Sequence, residues 1–238
     1  MIIFPAIDIK DKICVRLYKG EFSTAGKVAE SYMETALSFK KAGAEWIHMV
    51  DLNGALDGKR KNAEIFLDVA KNSGLSVEVG GGIRTIADVA FYLENGIERV
   101  ILGSAALKNP QLVIEACREF PSKIAVGVDA VGEMAAAEGW TEKSNIHYID
   151  LAKRMEDAGV DCIIFTDIDR DGMLSGPNLE QLIKLRDSVS CKITASGGIR
   201  DINDIKALKS AGLYGAICGR SLYSGTLKLG EAIAECEV

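Results

Sequence analysis

The chain has 238 residues, 48% of them hydrophobic, with 24 glycines and only 4 prolines. That is enough apolar material for a sizeable core, and the glycine excess points to tight turns rather than disordered linkers. A net charge of −6 excludes bulk electrostatic binding to nucleic acid or an anionic membrane, so any phosphate must be held by local backbone amides and a few positioned cations.

Short apolar runs rich in Ile and Val occupy residues 2–7, 46–50, 75–79, 99–102, 124–128, 162–165, 192–195 and 215–218. Runs this short, often apolar on both faces, read as buried parallel strands. Between them lie amphipathic patterns predicting helices, among them 29–41, 86–95, 148–158 and 202–211, with a helix and turn over 108–122. Gly43, Gly96, Gly159 and Gly212 follow the last turn of such helices, the expected stop. Thr85 and Asp88 have the spacing of a capping box, and Asp201 is placed to cap the helix that follows it. Eight strand–helix units of roughly thirty residues predict a (β/α)8 TIM barrel of near-minimal length.

The chain also contains itself twice. Gly81-Gly82-Ile83-Arg84 returns 116 residues later as Gly197-Gly198-Ile199-Arg200. The same offset relates Ala42-Gly43 to Ala158-Gly159, Asp51 to Asp167, Gly96 to Gly212 and Gly103 to Gly219. A fixed shift over whole segments predicts one unit built twice. We therefore expect a single domain over 1–238 made of two (β/α)4 half-barrels, approximately 1–120 and 121–238.

The six cysteines, at 14, 117, 162, 191, 218 and 236, include no C-x-x-C pair, and with two histidines they offer no zinc spacing. Cys162, Cys191 and Cys218 lie in apolar runs and read as core residues, which suits a reducing cytoplasm. Residues 1–8 lack the pattern of a signal peptide, and no run approaches the ~18 apolar residues of a membrane span. The expectation is a cytoplasmic protein, acting as a monomer, without metal or organic cofactor.

In such a barrel the working face is the C-terminal end of the strands. Asp8 closes the first run and Asp129 the fifth, equivalent places in the two halves although 121 residues apart. Paired carboxylates across one mouth suit proton transfer, one removing a proton while the other donates one. Asp51 and Asp167 also close runs, and for them loop support and substrate binding are equally open. Asp171, in the loop after the sixth run, is either turn chemistry or a third catalytic carboxylate. Gly81-Gly82, with Gly103-Ser104 one unit later, and Ser196-Gly197-Gly198, with Gly219-Arg220, let the backbone approach an anion near a helix N-terminus. Two such grips imply an elongated substrate with a phosphate at each end and its reacting centre beside Asp8 and Asp129. Arg16 is placed to reach a phosphate, and Trp140 to stack on a planar substrate or close the site. His48, alternating with apolar neighbours, reads as a satisfied interior histidine, and His147, opening a helix, as structural.

Taken in order, several segments resemble one family. They are Pro5-Ala6-Ile7-Asp8-Ile9, Val15-Arg16-Leu17, Trp46-Ile47-His48 with Val50-Asp51-Leu52-Asn53-Gly54-Ala55, Gly80-Gly81-Gly82-Ile83-Arg84 and Gly139-Trp140-Thr141. Thr166-Asp167-Ile168 with Arg170-Asp171-Gly172, Ser196-Gly197-Gly198-Ile199 and Gly219-Arg220 with Leu222-Tyr223 complete the set. The whole chain is similar to the phosphoribosylformimino-5-aminoimidazole carboxamide ribotide isomerases of histidine biosynthesis. The resemblance implies an Amadori rearrangement of an aminoaldose to an aminoketose on a substrate with two phosphates. It implies Asp8 as the base at ribose C2, Asp129 as the acid that opens the ring, and Thr166 and Asp171 close to the chemistry. Which of Asp129 and Asp171 delivers the acid proton stays open. Ala6-Ile7-Asp8 and Val15-Arg16-Leu17 favour these isomerases over the sister cyclases, whose first strand ends in a Cys-Leu-Asp type motif. Three departures from the family pattern stand out: Lys12 where Gly is usual, Asn53 where Asp is frequent, and a loop over 130–138 with Val131 and Glu138 in place of basic residues.

Overall fold

The computed structural model describes residues 1–18, 21–137 and 142–237. Eight strands form its centre: β1 (Ile2–Lys10), β2 (Trp46–Asp51), β3 (Ser76–Gly80), β4 (Arg99–Leu102), β5 (Ile124–Val131), β6 (Cys162–Asp167), β7 (Lys192–Ser196) and β8 (Gly215–Cys218). Each pairs in parallel with the next, and β8 returns to β1 through Ile2↔Gly215 to Pro5↔Cys218, so the sheet closes. Closure with helices between the strands is the (β/α)8 barrel expected from the alternating runs.

The strands are apolar on both faces because both are covered. Inward residues such as Phe4, Ala6, Ile101, Ala125, Cys162, Ile164 and Ile217 pack into one cluster inside the barrel. Outward residues such as Ile3, Ile7, Met49, Val79 and Val128 pack against helix residues including Phe39, Phe66, Val69 and Tyr92. The period of two along a strand thus separates two cores, neither of which tolerates polarity.

A polar cluster centred on Glu78 breaks that rule inside the barrel. Glu78 is fully buried in mid-strand, and its register neighbours are His48 on β2 and Arg99 on β4. His48 Nδ1 lies 2.7 Å from Glu78 Oε1, while Arg99 Nε and Nη2 both donate to Oε2, the former at 2.9 Å. The Arg99 guanidinium also lies 4.7 Å from the Trp46 ring centroid and 5.3 Å from that of Phe4. Burial alone would push the Glu78 carboxyl up, but His48 and Arg99 outweigh it and hold it below its ordinary value.

The helices follow their sequence signals. Thr85 and Asp88 form the capping box, Asp201 accepts from the N–H groups of Asn203 and Asp204, and Gly43, Gly96, Gly159 and Gly212 all have positive φ after their helices. One boundary differs. The helix expected over 29–41 is Tyr32–Lys41, capped by Ser31. Residues Glu21–Ala29 instead form a strand antiparallel to Ile13–Tyr18, and that hairpin extends β1 through Asp8↔Val15. Within the segment 130–145, Met134–Ala137 pairs antiparallel with Glu142–His147 and with the end of β5 through Asp129↔Ala136. No helix among the described residues is long and apolar enough to cross a membrane.

Removing Arg99 strands a buried carboxylate, so Arg99→Met is expected to cost about 3–5 kcal/mol of unfolding free energy in chemical denaturation. A loss below about 1 kcal/mol would show that His48 alone compensates Glu78.

Candidate functional site

The strand register delivers the expected carboxylates to one end of the barrel. Asp8 pairs across to Val50 on β2, and Asp129 across to Thr166 on β6, so each side chain closes its strand at the C-terminal rim. A single cavity at that rim is lined by Asp8, Arg16, Asp129, Thr166 and Asp171. Gly81, Gly82, Arg84, Gly103 and Ser104 line it from the first half, and Ser196 from the second. Gly197, Gly198, Gly219 and Arg220 do not line it, and Trp140 lies outside the described residues.

Arg16, carried by the first hairpin, is the electrostatic centre. Its Nη1 donates to Asp8 Oδ2 at 2.7 Å. A Cβ on Gly219 would stand 2.3 Å from Arg16 Nη2, so the guanidinium rests directly on the glycine that ends β8. Burial opposes the Arg16 charge, but Asp8, Asp171 and Tyr223 outweigh it and raise it above its ordinary value. Arg16 was expected at a phosphate; here it joins the candidate base to the β8 glycine loop. Asp171 sits in the turn after β6, its N–H donating to Asp167 O at 3.0 Å. Burial pushes the Asp171 carboxyl up, and the negative charges of Asp8 and Asp129 add to this against the opposing pull of Arg16.

Asp51 and Asp167 support loops. Asp51 is fully buried and accepts from Gly54 N at 2.9 Å, Asn62 N at 3.1 Å and Asn62 Nδ2 at 2.7 Å. Asp167 accepts from Asp169 N at 3.0 Å and Asn178 Nδ2 at 2.8 Å. The glycine pairs pack against these loops. With φ of +102° and +77°, Gly81 and Gly82 leave no room for a Cβ, which would lie 2.3 Å from Asp51 O and 2.2 Å from Gly54 O. Gly197 and Gly198 meet Asp167 O and Gly176 O in the same way, at 2.9 and 2.4 Å. Loop-on-loop contact therefore already demands glycine at both pairs. The two arginines that follow the pairs diverge: Arg84 lines the cavity and donates to Ala55 O at 3.3 Å, whereas Arg200 turns to Asp201 at 2.8 Å. Arg220 donates to Gly172 O and covers the Tyr18 ring at 4.8 Å, bracing the first hairpin against the β6 loop.

Two departures have local explanations. Asp11 and Lys12 both have positive φ, at 50° and 64°, which is why glycine suits that turn. Asn53 accepts from Asp11 N at 2.7 Å and donates to Asp11 Oδ1 at 2.9 Å, a pairing that an ionised Asp cannot make. His147 caps its helix by accepting from Ile149 N, as its position suggested. His48 is satisfied by Glu78, as expected, but it also lines the cavity, which sequence reasoning missed. The signal was present: Glu78 interrupts an apolar run and requires partners on the adjacent strands. Among the described residues no group of three or more His, Cys, Asp or Glu is arranged to hold a metal.

A family profile described as Histidine biosynthesis protein matches residues 2–228. Relatives from Clostridium novyi and Clostridium kluyveri are each 53% identical over 233 residues, covering 98% of both chains. One from Clostridium botulinum is 53% identical over 98% of this chain and 96% of its own. All three are named 1-(5-phosphoribosyl)-5-((5-phosphoribosylamino)methylideneamino) imidazole-4-carboxamide isomerase. With the profile spanning the barrel from β1 past β8, and identity above half along nearly the whole length, the chain belongs to the histidine biosynthesis protein family.

Proposed function

We propose that this protein is an aldose–ketose isomerase that converts the bisphosphorylated aminoaldose ribotide named in its relatives to the corresponding aminoketose. The observation that carries the reading is the convergence of Asp8, Asp129 and Asp171 in one cavity beside the glycine loops of β3 and β4. On this reading the chain is one domain of two half-barrels, and the duplication serves a substrate with a phosphate at each end. One phosphate is held by Gly81, Gly82, Gly103, Ser104 and Arg84. The other is held on the second half at Ser196, which lines the cavity, with the Gly197-Gly198 and Gly219-Arg220 loops behind it and Arg16 supplying a cation.

The chemistry is acid–base throughout. An acid protonates the ribose ring oxygen as the C1–O bond breaks, and the amine lone pair forms the C1=N bond. Asp8 then removes the C2 proton, and the electron pair makes C1=C2 while neutralising the iminium. The enol loses its hydroxyl proton, C1 regains one, and the ketone results. No redox partner is required. Asp129 is the acid implied by the family resemblance. The raised carboxyl of Asp171 favours a second reading, in which Asp171 delivers that proton, because a carboxyl held up by burial keeps the proton that an acid must give.

Purified protein given the aminoaldose without ammonia is expected to show the absorbance change of isomerisation; an inert wild type would overturn the reading. Asp8→Asn is expected to lower kcat by about a thousand-fold. If Asp171 is the acid, Asp171→Asn falls by a comparable factor and Asp129→Asn by less, and the reverse order returns the role to Asp129.

The Asp171 shift also has a stability consequence. A carboxyl raised in the folded state contributes stability below its unfolded pKa, lost as pH rises through the folded value. Relative to wild type, Asp171→Asn is therefore expected to gain stability as pH rises from 4 to 8 in thermal unfolding, and a pH-independent difference would contradict the shift.

Gly103 tests the phosphate grip apart from folding, because nothing lies within 4 Å of an added Cβ there. Gly103→Ala is expected to change stability by less than about 0.5 kcal/mol and to raise KM roughly ten-fold, a loss of the size of one polar contact. An unchanged KM would remove the phosphate from that loop.

A further inference from the structure

The floor of the cavity is the upper surface of the cluster inside the barrel. Ala6, Ile101, Ile164 and Ile217 form it and carry no polar side-chain atom. His48 lies among them, level with Ala6 in the strand register and two residues below the level of Asp8 and Val50. Its imidazole is not left to rotate. Glu78 Oε2 takes both N–H groups of Arg99, which leaves Oε1 for His48 Nδ1 at 2.7 Å. Glu78 is fully buried and does not line the cavity, whereas the His48 side chain retains 12% exposure. A carboxylate can only accept, so Nδ1 carries the hydrogen that Glu78 takes, and Nε2 is the ring nitrogen left for another partner. An ion pair this deep costs desolvation that apolar residues of equal size would avoid. Fixing the orientation of the ring beneath Asp8 is a use that repays it.

We propose that His48 is a substrate-contacting residue whose Nε2 hydrogen-bonds a hydroxyl of the sugar seated over Asp8, with Glu78 and Arg99 as positioning residues behind it. The proposal rests on the isomerase reading. A sugar hydroxyl can both donate and accept, so it can pair with an imidazole nitrogen on this apolar floor, away from the glycine loops that would hold the phosphates. The contact is made at the cavity floor, between the two phosphate grips, so it reads the sugar and leaves its ends free.

Two substitutions separate this role from a purely structural one. His48→Asn places an amide near Nδ1, satisfying Glu78, but nothing reaches the cavity. His48→Gln places its amide near Nε2 and satisfies Glu78 poorly. Steady-state kinetics with the aminoaldose would be combined with thermal unfolding of each variant. A substrate contact predicts that His48→Asn stays folded with kcat/KM reduced by roughly ten- to hundred-fold, and that His48→Gln recovers part of that loss despite a lower melting temperature. The opposite order, with Asn kinetically within about two-fold of wild type and Gln impaired, overturns the proposal and leaves His48 as a partner for Glu78. An inert wild type would instead overturn the isomerase reading, and this assignment with it.

Discussion

Everything at the working face depends on ring closure. Because β1 pairs in parallel with both β2 and β8, none of the eight barrel strands is left with an open edge, and all eight end at one rim. Parallel closure brings together residues that are far apart in sequence. Asp8, Asp129 and Asp171 share a cavity with Gly81 and Ser196 for that reason alone. A parallel barrel also buries both faces of every strand, so polar side chains must either leave at the strand ends or be paired inside. The site uses the first solution, and His48, Glu78 and Arg99 use the second.

A second constraint acts above the rim. The loop after β2 is folded on the Asp51 carboxylate, and the loop after β3 passes so close to it that Gly81 and Gly82 cannot carry a Cβ. Asp167 with Gly197 and Gly198 repeats that arrangement. These contacts place the backbone of the glycine loops, so an anion grip in the proposed function would be a by-product of how the loops are braced. Arg16 supplies what the glycines lack. Packed on Gly219 and bound to Asp8, it ties the first hairpin to the candidate base and to the end of the neighbouring strand β8.

Much of this was legible in the sequence. Eight Ile- and Val-rich runs set the strand count, since buried parallel strands have a composition of their own. The caps at Thr85 and Asp201 and the glycine stops were local and needed no tertiary information. Asp8 and Asp129 could be named because each is the polar residue that closes an apolar run, and Thr166 through the family resemblance. Residues 21–29 carried no strand signal, and they form a strand only by pairing with Ile13–Tyr18. A strand that forms through its partner leaves a weak signature of its own. Asp51 illustrates the opposite limit: a carboxylate at a strand end looked equally suited to substrate and loop, and only its three bonds to Gly54 and Asn62 decide for the loop.

The sequence by itself determined the number and order of the elements, the strand-end carboxylates and the family. Each of these rests on local pattern or on motif order along the chain. Only the tertiary structure decided that Arg16 pairs with Asp8 and rests on Gly219, that Arg84 faces the cavity while its counterpart Arg200 turns to Asp201, and that His48 is held by Glu78 at the cavity floor. These are contacts between strands and loops remote in sequence, and their energies come from burial and charge pairing that exist only once the ring has closed.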